Sequence, residues 1–381
     1  MRRKQLTDMN IEEENELNGD SPEKVSISEL SKRGYQLLKE NYIEEAETCF
    51  QQIIEVDEAN NYALVGLGDA ARKKRQFRDA VSYYQNCLVH HPGNNYALFG
   101  LADCYKALNQ YKQAIKIWEQ YLLHDDTNVT VLTRVADAYR KVKDFRRSKE
   151  IYERALELED NNAYAIIGLG HLHYDFREYE SALTYWEQML DVHRENVDIR
   201  VLTSIGNCHR KLKTFAEGLS FFQKALGLEP NNFYALFGMA DCYRGLNDQK
   251  NSLQYWNQIL EHDPNNKVIL TRAGDAYRNM EDFETAEEYY QKALNIEFDE
   301  YAILGLALIN KLRGNYQDAI DSLRGLLRND VKNHRLYTEI AECYLKLGER
   351  SQALQILSDF QQLGIRNSYV SDMLAELNRK K

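Results

Sequence analysis

Proline is scarce in this chain, at 4 of 381 residues, and glycine stands at 19. Average usage would give about 19 prolines and about 27 glycines at this length. The shortfall excludes collagen-like, proline-rich and glycine/serine-rich classes and leaves little to interrupt a helix. The six cysteines are scattered and form no CxxC pair. Neither a disulfide framework nor a metal site is therefore expected, and a reducing compartment, the cytoplasm, is the expected location. No run approaches the ~18 apolar residues of a membrane-spanning helix. The basic start Met1-Arg2-Arg3-Lys4 leads into no apolar core, so no secretory signal is read. Positive charge is in deficit: 48 Lys+Arg against 59 Asp+Glu give a net charge of −11. That argues against nucleic acid as a partner, since phosphate-backbone affinity rests on a large basic surface. Apolar residues at 44% exclude global disorder.

A repeat is present instead. Asn95-Tyr96-Ala97-Leu98-Phe99-Gly100-Leu101-Ala102-Asp103-Cys104-Tyr105 recurs as Phe233-Tyr234-Ala235-Leu236-Phe237-Gly238-Met239-Ala240-Asp241-Cys242-Tyr243. Weaker copies, mostly 34 residues apart, give ten repeats: 27–60, 61–94, 95–128, 129–162, 163–198, 199–232, 233–266, 267–299, 300–333 and 334–367. Numbered within a repeat, positions 8 and 20 are small throughout, as in Gly68 with Ala80 and Ala102 with Ala114. Position 24 is large, and all three tryptophans fall on it: Trp118, Trp186 and Trp256. Large rings facing small residues predict a pair of closely packed helices in each repeat. Ser, Asn or Asp precedes every first helix, as at Ser26, Asn60, Asn94 and Asp198. Such residues cap helix starts by accepting from free backbone N–H groups. Pro92, Pro230 and Pro264 lie two residues before a cap and end second helices.

The pattern resembles the tetratricopeptide repeat family, whose signature matches the second repeat at Leu64, Leu67, Gly68, Ala80, Tyr84 and Pro92. The resemblance covers 27–367 and weakens in the last two repeats, where Leu323 and Leu357 replace the ring at position 24. It implies an all-α fold, a right-handed superhelical α-solenoid with first helices lining a concave groove. One helix pair cannot bury its own apolar stripe, so neighbours must stack and the ends need caps. Tyr369, Val370, Met373, Leu374 and Leu377 share one face at helical spacing, so 368–381 is read as a capping helix. Residues 1–26 are read as a flexible tail. The extra residues Arg194-Glu195-Asn196-Val197-Asp198 are read as a bend or hinge.

Catalytic chemistry is not found. There is no P-loop, HExxH or GxSxG. Gly66-Leu67-Gly68 and Gly168-Leu169-Gly170 fall inside helices and are no dinucleotide loop. His171 and His173 are two apart on a helix and cannot chelate together. Cys104, Cys208, Cys242 and Cys343 share position 10 with alanines of other repeats and read as packing residues. No cofactor is expected, and the chain is not expected to be an enzyme.

By the resemblance, positions 2, 5, 6, 9, 12 and 13 face or rim the groove. Position 2 is Tyr62, Tyr96, Tyr164, Tyr234 and Tyr301, and in those five repeats position 6 is glycine. A helical glycine costs roughly 1 kcal/mol against alanine. Either it bares backbone as a shelf for a peptide, or it lets the tyrosines pack on the neighbouring first helix. Two repeats carry arginine at position 6, in Leu-Thr-Arg-x-x-Asp-Ala-Tyr-Arg: Arg134, Asp137 and Arg140, then Arg272, Asp275 and Arg278. Asp69, Asp103 and Asp241 repeat the acid, followed at i+3 by Arg72, Lys106 or Arg244. These groups are either mutual ion pairs or hooks for a ligand. Over the six positions the ten repeats hold 17 basic and 8 acidic residues, but 12 of the 17 lie near helix C-termini. Basic residues there also complement the helix dipole.

The third and seventh repeats share 9 of 10 residues over positions 2–11 and only 5 of 14 over positions 15–28. The shared face includes Phe99 with Phe237, which predicts two related subsites that continue into Arg134 and Arg272. Position 5 is never lysine and position 6 never asparagine, so the pattern that captures chaperone C-termini in this family is not matched. The expected function is a non-catalytic scaffold binding a protein or peptide segment, acidic or mixed in charge. The alternative is the recognition subunit of a multiprotein complex whose catalysis lies in a partner.

Overall fold

The structure is a computed structural model and describes residues 26–192 and 198–379. The tail, apart from Ser26, and the extra residues before Asp198 lie outside the described residues. Among the described residues there are 21 helices and no strand: an all-α repeat solenoid. Contacts divide the chain into two bodies, one ending at Gly168 and one starting at Leu169.

The N-terminal body holds α1 (Ile27–Glu40), α2 (Ile43–Val56), α3 (Asn61–Lys73), α4 (Phe77–His90), α5 (Asn95–Ala107), α6 (Tyr111–Leu122), α7 (Val129–Lys141) and α8 (Phe145–Leu158). The division falls within α9 (Ala163–Asp175). The C-terminal body continues with α10 (Tyr179–Val192), α11 (Ile199–Leu212), α12 (Phe215–Leu228), α13 (Phe233–Gly245), α14 (Gln249–His262), α15 (Lys267–Asn279) and α16 (Phe283–Ile296). It ends in α17 (Glu300–Leu312), α18 (Tyr316–Leu327), α19 (His334–Lys346), α20 (Arg350–Gln362) and α21 (Ser368–Arg379).

Polar caps start the first helices. Asn60, Asn94, Asn128, Asn232 and Asn266 each accept from the backbone N–H three residues on. Ser26 and Glu29 form a reciprocal capping box at the head of α1. Each first helix then turns into its second through one left-handed residue: Asn41, Arg75, Asn109, Lys143, Arg177, Lys213, Asn247, Glu281, Gly314 and Gly348. All ten sit at position 15, and only two are glycine. Composition alone does not reveal this turn.

The core sits between paired helices. Trp118, Trp186 and Trp256 are buried, as are Phe50, Tyr84, Phe222 and Tyr290. Where position 20 is serine, its hydroxyl donates back to the partner helix: Ser148 to the Ala136 carbonyl and Ser252 to the Ala240 carbonyl, both at 2.8 Å. At the end of the chain, Val370 and Leu374 of α21 join the core of Leu357 and Phe360, and Arg350 donates to the Leu377 carbonyl.

Each glycine at position 6 is buried against the position-24 ring of the preceding repeat. A Cβ on Gly100 would lie 2.3 Å from Cζ of Tyr84, and one on Gly238 would lie 2.2 Å from Cζ of Phe222. Gly66, Gly168 and Gly305 meet Phe50, Tyr152 and Tyr290 in the same way. Both readings of the glycine row are thereby corrected. The glycines bare no shelf, and they do not serve the tyrosines of position 2, which remain exposed. What offsets the helical cost of glycine is a ring inserted between two first helices. First helices that pack directly on each other include α1–α3, α3–α5, α11–α13 and α15–α17, and the later helix of each carries this glycine.

The rule has a counterpart. Every Phe or Tyr at position 24 is followed by glycine at the next position 6; Trp118 and Trp256 are followed by Arg134 and Arg272, and Trp186 by Ser204. A tryptophan joint therefore leaves room for a side chain on the first-helix face.

Candidate functional site

The site residues expected from the sequence lie on first helices and are described body by body. The tyrosines of position 2 open those helices and point outward. Tyr62 and Tyr96 are 37% and 44% exposed in the N-terminal body, as is Tyr164 at 78%. Tyr234 and Tyr301 are 68% and 74% exposed in the C-terminal body. Their position in the first turn, two residues past the cap, places them at the outer end of the helix.

In the N-terminal body the acids and bases form a ladder that crosses between adjacent first helices. Arg72 of α3 pairs with its own Asp69 at 2.9 Å and with Asp103 of α5 at 3.3 Å. Arg134 of α7 reaches back to the other oxygen of Asp103 at 2.6 Å. Its guanidinium also lies 4.9 Å from the centre of the Phe99 ring, a cation–π contact. Lys106 reaches forward to Asp137 at 3.0 Å, and Arg140 holds the same carboxylate at 2.7 Å. Burial alone would raise the Asp137 carboxyl, but Lys106 and Arg140 outweigh it and hold it below the ordinary carboxylate range. Tyr84 donates to Asp69 at 2.7 Å, so a core ring is tied to the polar row.

The C-terminal body repeats the residues but not the pairing. Asp241 is buried and carries three N–H donors. Arg210 of α11 takes one oxygen at 2.6 Å, and Arg244 places Nε and Nη2 on the other at 2.9 and 2.7 Å. Burial would raise this carboxyl too, but Arg244 and Arg210 hold it below the ordinary range. Asp275 accepts from Tyr290 at 2.8 Å and pairs with Arg278 at 3.4 Å. Arg272, half-buried on α15, makes no hydrogen bond, ion pair or ring contact among the described residues. Phe237 lies edge-on to Trp256 with ring centres 5.1 Å apart, and Phe233 joins Phe237 to exposed Tyr234.

The structure thus joins Phe99, Asp103, Arg134, Asp137 and Arg140 into one network. It joins Asp241 with Arg244, and Asp275 with Arg278, and leaves Arg272 apart. Sequence reasoning placed the acid–base pairs within one helix at i+3. The inter-helix pairs at a separation of 31 residues were missed. Their signal was present in the repeat length, because positions 9 and 12 of one first helix abut positions 6 and 9 of the next. Arg210, which was not expected at the site, is a member of it.

The remaining polar groups of the core carry packing roles. His173 is buried, meets Glu178 through Nδ1 at 2.6 Å and stacks on Tyr185. His209 stacks on Phe221. Burial pushes the thiols of Cys104, Cys208 and Cys242 up to about 12, so they are neutral at physiological pH. No group of side chains suited to a metal ion occurs among the described residues, and no described helix is long and apolar enough to cross a membrane.

Comparison with known proteins agrees with this architecture. Family models described as tetratricopeptide repeat match residues 71–132 and 312–376, 129–162 and 269–300, 234–266, and 167–233. Together they span well over half of the chain. No curated protein sequence matches it. Among solved structures, a tetratricopeptide repeat protein from Parabacteroides merdae superimposes with a TM-score of 0.52 at 14% identity, over 68% of this chain and 98% of that one. The C-terminal part of a repeat-containing protein from Cytophaga hutchinsonii gives 0.53 at 19% identity, over 64% and 99%. PilW, described as a widely conserved type IV pilus biogenesis factor, gives 0.50 at 18% identity, over 55% and 96%. At such identities the likeness is one of fold. The chain belongs to the tetratricopeptide repeat family.

Proposed function

We propose that this chain is a non-catalytic scaffold whose first-helix face receives an extended segment of a partner protein. Repeats of this family are protein-interaction scaffolds, and the observation that carries the finer reading is the row of exposed tyrosines. Tyr164, Tyr234 and Tyr301 present most of their rings to solvent on helices whose other faces are buried. Aromatic side chains offer large contact area at low entropic cost, which suits a binding surface. The ten repeats with 368–381 as a terminal cap supply the support, and catalysis, where needed, lies in a partner. A net charge of −11 disfavours nucleic acid as ligand. The six buried free thiols suit a reducing compartment such as the cytoplasm.

The test is a pull-down with the full chain. The triple variant Tyr164→Ala, Tyr234→Ala, Tyr301→Ala should lose wild-type partners at an unchanged melting temperature. A control altered on exposed second-helix positions, Gln223→Glu with Gln291→Glu, should retain them. Retention by the tyrosine variant together with loss by the control overturns the assignment of this face.

A further inference from the structure

Arg272 stands out on the first-helix face because its counterpart in the N-terminal body is satisfied and it is not. Arg134 pairs with Asp103 at 2.6 Å and lies over Phe99. The equivalent acid for Arg272 is Asp241, which already holds Arg210 and Arg244 through both oxygens. Two differences between the bodies account for this. The residue at position 9 facing Arg72 is Asp69, which shares that guanidinium; facing Arg210 it is Asn207, which carries no charge and accepts only at 3.2 Å. Arg210 therefore commits to Asp241. The residue at position 12 after Asp103 is Lys106, which reaches forward to Asp137; after Asp241 it is Arg244, whose fork folds back onto Asp241. Both changes load Asp241 and free Arg272. The row Asp69, Arg72, Asp103, Lys106, Arg134, Asp137, Arg140 holds four bases and three acids, whereas Asn207, Arg210, Asp241, Arg244, Arg272, Asp275, Arg278 holds four bases and two acids.

A half-buried guanidinium without a counter-charge is a poor contributor to stability and a strong recognition element. Arginine offers a planar fork of donors matched to a carboxylate. The preceding first helix, α13, supplies an apolar complement, the aromatic run of Phe233, Tyr234 and Phe237. We propose that Arg272 pairs with an aspartate or glutamate side chain of the partner segment, while a neighbouring apolar residue of that segment rests on this aromatic run. The inference rests on the scaffold reading above and names the chemistry of its ligand.

The experiment uses a random dodecapeptide library displayed on phage, selected on the immobilised full chain. Enriched peptides are then measured by fluorescence anisotropy. Enriched peptides are expected to carry an acid close to an apolar residue. Arg272→Glu should weaken them tenfold or more without lowering the melting temperature, whereas Arg134→Glu should weaken them less than threefold. Exchanging the peptide acid for lysine should restore binding to the Arg272→Glu variant. Arg272→Gln serves as the test should the glutamate variant not fold. Peptides weakened by Tyr234→Ala but indifferent to both Arg272 variants overturn the subsite and leave the scaffold reading standing. Peptides indifferent to all of these changes, or the absence of any enriched peptide, overturn both.

Discussion

In the stretch 95–140 a guanidinium, that of Arg134, closes on Asp103 and covers Phe99. In the stretch 233–278 Arg272 closes on nothing among the described residues, and Phe237 turns to Trp256. Over positions 2–11 the first helices that open these stretches differ at one residue in ten. The divergence enters from the preceding repeat, through Asn207 in place of Asp69, and from the end of the opening helix, through Arg244 in place of Lys106. A polar site on a solenoid is therefore set by the neighbouring repeats as much as by the repeat that carries it. Nearest-neighbour contact is how such folds transmit every effect.

The scaffold beneath the two stretches is the same, and the largest expected effects test that sameness. Trp118→Ala and Trp256→Ala each remove a fully buried indole. Each should cost on the order of 3–5 kcal/mol in urea unfolding. Clearly unequal losses would show that the two joints are packed differently, and the comparison of their arginines would lose its basis. Gly100→Ala and Gly238→Ala come next. Each would drive a Cβ into a buried ring, so a loss of about 1–3 kcal/mol is expected in both bodies. Tyr84→Leu should recover part of the Gly100→Ala loss, because contacting sites couple. Full additivity would disprove the inserted-ring account.

These joints also mark how far the sequence could be read. Helix pairing, the caps and the core positions follow from local chemistry that repeats ten times, so Asn60 or Trp118 declares its role by position alone. The role of Gly100 was missed because its partner Tyr84 belongs to the previous repeat, and a reading confined to one repeat does not pair them. The link between position 24 and the next position 6 was legible in principle, since glycine follows every Phe or Tyr and never a Trp. The charge network was legible only as residue types. Whether Arg272 pairs depends on competition among three side chains, Arg210, Arg244 and Arg272, for one carboxylate, which spacing does not decide.

That competition gives a pH signature in the C-terminal body. The Asp241 carboxyl is held below its ordinary range in the folded chain. Its contribution is complete above the unfolded value, near 4, and is lost as pH falls through the lower folded value. Asp241→Asn should lower stability by about 1–2 kcal/mol at pH 7 and by progressively less below pH 4. An equal deficit at pH 7 and pH 2.5 would show that the charge of Asp241 is not what holds Arg210 and Arg244.

A smaller contrast concerns the two arginines themselves. Arg134→Glu replaces a base paired with Asp103 by a second acid facing it, which should cost about 0.5–1 kcal/mol. Arg272→Glu breaks no pair and should change stability by less than about 0.5 kcal/mol. Equal thermal shifts would remove the distinction between a satisfied and an uncommitted guanidinium.

A last pair of changes serves as the control for all of these. The turns that follow the two arginine-bearing helices place Lys143 and Glu281 in the left-handed region, at φ 66° and 65°. A side chain with a Cβ is strained there by about 1–2 kcal/mol, and glycine is not. Glycine in turn gives the unfolded chain more freedom, which takes back about 0.5–1 kcal/mol. Lys143→Gly and Glu281→Gly should therefore each raise stability by about 0.5 kcal/mol. The φ angles agree at both turns, so the two gains should differ only by the side-chain contact that Lys143 makes. Gains within about 0.5 kcal/mol of each other assign the divergence between the two stretches to their side chains; a wider gap would mean that the helices bearing Arg134 and Arg272 sit on differently strained turns.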